Sequence, residues 1–191
     1  MSWALVLEQT LNGLQFGVML FLMAAGLTLV FGIMNLVNLA HGSLYMVGAY
    51  LAAAFAHWSG SFVLGVALAL PATLLVGIAV EVIALRTLYE RDHLDQVLAT
   101  FGLILFFNEL ISIIWGRAAI YTSVPTILGG HFRILPGVPY PTYRAAIIAV
   151  GILVSVLLWG LVTRTRLGMR IRAGASNRTM VSALGVNVRL L

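Results

Sequence analysis

The sequence predicts an all-α, polytopic membrane bundle of about five spans, and three observations carry that prediction. Of the 191 residues 61% are hydrophobic and only 9% charged, whereas a soluble domain carries roughly 25% charged residues. No Asp, Glu, Lys or Arg occurs between Glu8 and Glu81. Every basic residue is Arg, and Arg164, Arg166, Arg170, Arg172, Arg178 and Arg189 crowd the end of the chain. With a mean hydropathy of +1.04, a soluble, disordered or fibrous chain is excluded. The net charge of +5 does not point to a nucleic acid, because that reading needs a basic solvated face. The absence of cysteine removes disulfides and thiolate metal sites.

A crossing helix needs about 20 apolar residues for about 30 Å of hydrocarbon. The charge-free run accommodates three, near residues 11–33, 37–57 and 61–85. The breaks fall at Met34-Asn35 and at His57-Trp58-Ser59-Gly60-Ser61, with Trp58 suited to an interfacial anchor. A fourth span is expected near 97–115, ending at Trp115, and a fifth near 145–163 between Arg144 and Arg164. Residues 86–96 are strongly polar. Residues 116–144 hold Pro125, Pro136, Pro139 and Pro141 with Gly129-Gly130, the pattern of an ordered, mostly non-helical loop. Met1–Thr10 has no basic residue and is not expected to be a secretory signal. The whole chain, 1–191, reads as a single membrane domain.

Arg asymmetry orients the chain. Clusters of Arg stay on the cytoplasmic side, which puts 164–191 inside, 116–144 outside and 86–96 inside. Three full crossings then put the N-terminus outside; if the element after residue 33 only dips into the membrane, the N-terminus moves inside.

Asn35, Asn38, His41 and Ser43 crowd the start of an otherwise apolar span, with Gly42 beside them. Unpaired polar groups in lipid cost several kcal/mol each, so these face protein or water. One reading is a helix broken near residues 35–43, of the kind that lines a transport path; the other is a helix end that bonds its own cap. Glu81 stands about a turn before Arg86 and is expected to snorkel to the interface. Asn108 and Glu109 lie deeper, in the fourth span, where Glu109 either lines a cavity or pairs with an Arg such as Arg117. Gly13 and Gly17, and the small face of Ala49, Ala52, Ala53 and Ala56, suit close helix packing. The four histidines (His41, His57, His93, His131) are scattered, so no metal site is expected, nor any other cofactor, and no nucleotide-binding or hydrolase motif is present.

In the last segment Ser176 or Asn177 is placed to cap a short helix that Gly185 ends, with Met180, Val181 and Leu184 on one face. A short amphipathic cytoplasmic helix flanked by Arg172 and Arg178 fits either a partner's groove or the lipid surface.

The stretches 11–50 and 165–187 resemble the permease subunit of branched-chain amino acid ABC importers, in particular its H-type subunit. The most specific match is Asn38, Leu39, Ala40, His41, Gly42, Tyr45, Met46, Gly48, Ala49 and Tyr50; residues 99–103 match more weakly. The resemblance implies a non-enzymatic transport subunit of the bacterial cytoplasmic (inner) membrane, working by alternating access on branched-chain or related hydrophobic amino acids. It implies a second permease, cytoplasmic ATPase subunits that hydrolyse the nucleotide, and a periplasmic or extracellular substrate-binding protein. The substrate pathway then falls on Asn35, Asn38, His41, Gly42, Ser43, Asn108 and Glu109. The ATPase-coupling segment, within 164–191, falls on Arg172, Ala173, Gly174, Ala175, Ser176, Asn177, Met180, Leu184 and Gly185. A urea or amide ABC permease, an ion-coupled secondary transporter and a non-transporting membrane subunit are the alternatives. Family members usually have acids where this chain has Ser176-Asn177, and Gln-Asn where it has Asn108-Glu109. They also continue with further spans, so the chain is expected to be truncated on its C-terminal side.

Overall fold

The computed structural model describes residues 3–34, 36–89, 91–118, 120–122, 124–135, 138–183 and 185. The elements are helix α1 (Trp3–Met34), α2 (His41–Ser59), α3 (Phe62–Ile83), α4 (His93–Trp115), strands β1 (His131–Leu135) and β2 (Val138–Pro141), then α5 (Thr142–Arg164), α6 (Arg166–Ser176) and α7 (Arg178–Ala183). Short 3-10 turns lie at Leu85–Leu88 and Thr126–Leu128. The helices expose large apolar side chains along their length, among them Phe16, Phe21, Leu70, Leu75, Ile113 and Leu157. In water such surfaces would aggregate; in hydrocarbon they are the solvent-facing side, and a helix satisfies its own backbone there. The chain is a multi-pass helical membrane protein.

Two compact units divide it: Met1–Met34 with Thr126–Leu191, and Asn35–Pro125. In the first, α1 and α5 run parallel. Asn12 near the start of α1 accepts a 2.6 Å hydrogen bond from Arg144 at the start of α5, Val18 and Leu22 pack on Gly151 further along, and Gly32 near the end of α1 meets Ala175 of α6. The hairpin β1–β2 pairs antiparallel, Phe132 opposite Tyr140. It precedes α5 directly, with Thr142 donating from both its backbone N–H and its hydroxyl to the Gly130 carbonyl. The expected non-helical loop 116–144 thus contains a small sheet, and α5 begins at Thr142 rather than 145.

In the second unit α2 and α3 form an antiparallel pair turned at Gly60, whose φ of +65° suits glycine. Their closest approach is Gly65 against the Ala56 backbone, with a second at Gly48 against Thr73. α4 packs on α2 through Val47, Phe107 and Ile111, and the Tyr50 and Trp115 rings lie 5.5 Å apart. The small residues that matter are therefore not the expected pair Gly13 and Gly17, which face open space.

Four of the expected spans coincide with helices long and apolar enough to cross: Leu5–Gly32, Phe62–Ile83, His93–Trp115 and Thr142–Arg164. The remaining one, α2, is diluted by His41, Ser43, His57 and Ser59. Its 19 residues still reach about 28 Å at 1.5 Å per residue. Because α1 and α5 are parallel, the chain leaves the end of α1 on one side and enters α5 on the other. The N-terminal end of α1 consequently shares a side with the hairpin.

Candidate functional site

The segment joining α1 to α2 is not helical from Leu36 to Asn38 and turns at Leu39-Ala40. Leu36, Asn38 and Ala40 are buried nonetheless. Non-helical backbone at membrane depth is tolerated only against protein or water, and here two side chains one turn apart on α4 satisfy it. Gln96 Oε1 accepts from the Val37 N–H at 3.4 Å, and the Thr100 hydroxyl reaches the Val37 carbonyl at 3.4 Å while holding the Gln96 carbonyl of its own helix at 2.8 Å. Gln96 Nε2 donates to the Leu88 and Arg91 carbonyls at 3.2 and 3.1 Å, and His93 Nδ1 stands 3.3 Å from Gln96 Oε1. Gln96 is 3% exposed and Thr100 0%, so one amide ties the break, the start of α4 and the polar 85–91 segment together.

Of the residues expected on the pathway, Asn38 turns its Oδ1 back to the Ala40 N–H at 3.1 Å, and Ser43 is buried one turn into α2. The backbone is thus non-helical between α1 and α2, and Asn38 bonds its own backbone across the turn. His41 is half-buried and Gly42 exposed, with open space beside its Cα. Asn35 lies outside the described residues. Asn108 and Glu109 are exposed on α4; at 1.5 Å per residue they stand about 12 Å or more along the helix from Thr100, away from the break. Arg117 bonds Ser112 at 3.4 Å, not Glu109. Glu81 pairs with Arg86 at 3.1 Å and accepts from the Tyr89 hydroxyl at 2.9 Å. An open groove of about 540 Å³ lies between the 3-10 turn and α4, lined by Thr87, Leu88, Arg91, Asp95, Leu98 and Ala99.

The segment expected to couple to an ATPase is a helix–joint–helix. Thr165 ends α5 and caps α6, its hydroxyl accepting from the Gly168 N–H at 3.0 Å. A Cβ on Gly168 would run into the Leu161 and Val162 carbonyls, so the first turn of α6 is pressed against the last turn of α5. α6 carries Arg172, Ala173, Gly174, Ala175 and Ser176. Asn177 is the cap of α7, its Oδ1 accepting from the Met180 N–H at 2.9 Å. Gly185 has φ +81° and bonds the Ser182 carbonyl, as a helix-ending glycine does. The expected shared face does not hold: Met180 is 63% exposed and Val181 7%, while Leu184 lies outside the described residues.

Gln96, Thr100 and Gly168 are the positioning residues that sequence reading missed. For Gly168 a signal existed, in Thr165 three residues before it. For Gln96 and Thr100 the partner is about sixty positions away and leaves no local mark.

Residues 9–191 match the family model described as "Branched-chain amino acid transport system / permease component". The chain is 30% identical to the high-affinity branched-chain amino acid transport system permease protein BraD of Pseudomonas aeruginosa, over 95% of this chain and 62% of that protein. It is 27% identical to the LivH permease proteins of Salmonella typhimurium and Escherichia coli, again over 95% of this chain and 62% of theirs. The chain thus spans about 62% of the length of the curated relatives it matches. No solved structure shows significant similarity to it.

Proposed function

Because the chain belongs to the family of branched-chain amino acid transport permease components, a family of inner-membrane transport subunits rather than enzymes, we propose that it forms part of the pathway of an ATP-binding-cassette importer. The cargo is a branched-chain or related hydrophobic amino acid. A second permease completes the path, an external binding protein delivers the cargo, and two cytoplasmic ATPases drive the cycle by gripping α6–α7. What supports this reading above all is the seating of α6. It touches α1 at Gly32 and α5 at Leu161-Val162, so a force on the 173–185 segment is delivered to two spans at once. Closure of the ATPases then biases the bundle between outward- and inward-facing states, and the segment 36–43 lines the path.

Two measurements test it. Met180→Cys, in the assembled transporter, is expected to form a crosslink with an ATPase subunit; an accessible thiol that yields no adduct counts against docking there. Gly168→Ala is expected to prise the elbow between α5 and α6 apart, since the obstructing atoms are backbone oxygens, at about 1–3 kcal/mol. ATP-driven uptake should fall while total helicity by circular dichroism stays unchanged. Unaltered uptake would mean that the elbow transmits nothing.

A further inference from the structure

From Arg164 to the end of the chain there is no Asp or Glu. Arg166 and Arg170 stand one turn apart on α6 and are exposed, as is Arg172, and none has an ion-pair partner among the described residues. Leu167 and Met169, between the first two, are exposed too. The other side of α6 is occupied by Gly168 against the end of α5 and Ala175 against α1. At the last residue of the span, the Arg164 guanidinium lies 5.9 Å over the Trp159 ring. A helix that starts two residues after a membrane span sits at head-group depth. Its free face mixes guanidinium groups with apolar side chains, as interfacial helices do.

We propose that this face of α6 is a docking surface for anionic phospholipid, with Arg166 and Arg170 clasping the phosphodiester and Leu167 and Met169 entering the acyl boundary. The guanidinium fork matches phosphate oxygens in pairs, and long stems let the charge ride above apolar contacts. A soluble protein surface would match the cations but leave Leu167 and Met169 against water or require an apolar pocket for each, which is why lipid is the better occupant. Bound lipid would hold the ends of α1 and α5 at a fixed depth. The inference does not depend on what is transported.

The test is native mass spectrometry of the full chain in equimolar phosphatidylglycerol and phosphatidylcholine. The wild type is expected to retain the anionic lipid about tenfold over the zwitterionic one, given the attraction of each surface Arg for anionic lipid. Arg166→Gln with Arg170→Gln should bring the ratio near one, whereas Arg117→Gln, which removes an Arg that is not on α6, leaves it unchanged. Arg166→Lys with Arg170→Lys keeps the charge without the fork and should fall between, which separates loss of contact from loss of fold. No preference in the wild type, or one untouched by the Gln pair, overturns the proposal. So does a Gln pair that keeps its lipid but no longer copurifies with an ATPase, which would give this face to the protein partner.

Discussion

Replacing Gln96 by Leu is expected to free the segment 36–40 from α4. The substitution keeps roughly the volume and removes both ends of the amide. Val37 N–H and the Arg91 carbonyl lose the bonds that Gln96 provides, while the Leu88 carbonyl keeps the Arg91 N–H at 3.1 Å. Two part-buried backbone groups left unsatisfied cost at most about 1–3 kcal/mol each. Polar contacts within membrane proteins average less, about 0.6 kcal/mol, but that figure describes pairs whose members find other partners when separated. Val37 has no such recourse while Leu36 and Asn38 remain buried around it. A total of about 3 kcal/mol corresponds to about a hundredfold rise in local opening at 1.4 kcal/mol per decade. Amide hydrogen exchange of residues 36–40 in lipid nanodiscs reads this directly. Gln96→Glu retains the acceptor for Val37 and loses the donor to Arg91, so it should open by a smaller factor. Thr100→Val removes a long 3.4 Å bond to the Val37 carbonyl and two bonds to carbonyls of its own helix, at Gln96 and Val97, so only the first bears on segment 36–40 and exchange there should change least. Exchange in Gln96→Leu within threefold of wild type would show that burial alone holds the break.

That result bears on why the break was legible and its fastening was not. Asn38, His41, Gly42 and Ser43 stand out because polar residues in a charge-free run are conspicuous and lipid penalises them wherever they lie. The spans were legible for the same reason, since hydropathy reports the solvent and needs no tertiary contact. Gln96 was hidden at the edge of a polar loop, where an amide attracts no notice, and Thr100 inside a span, where a threonine that bonds its own helix is ordinary. Their meaning lies in a backbone about sixty residues away. The strand pair was hidden by its prolines. Pro139 and Pro141 speak against a sheet interior, yet a two-stranded ribbon has only edges and accommodates them. α6 was masked by Gly168 and Gly174, poor helix formers, although Thr165 supplies its cap.

Gly65→Leu is expected to be the most damaging single change in the 35–125 unit. A Cβ at Gly65 would lie 2.6 Å from both Cα and N of Ala56 and 2.7 Å from its Cβ. No rotamer relieves a collision with main chain, so α2 and α3 have to separate, and even Gly65→Ala pays this. Without a hydrophobic force between helices in lipid, their association rests on such close packing. Forced overpacking costs about 1–3 kcal/mol, and Leu adds side-chain volume beyond the Cβ. The consequence spreads because α2 is the least apolar of the five spans and depends on α3 to stay in place. Gly48 and Gly77 grade the claim: a Cβ at Gly48 meets only the Thr73 side chain at 3.2 Å, which can turn aside, and one at Gly77 meets nothing within 4 Å. Thermal unfolding in detergent should therefore rank Gly65→Ala well below Gly48→Ala, with Gly77→Ala at or above wild type. Ala56→Gly removes the Cβ contact but leaves Cα and N where they are, so it should not rescue Gly65→Ala. A rescue would place the obstruction in the Ala56 side chain and would mean that the two backbones do not meet at Gly65 as closely as drawn.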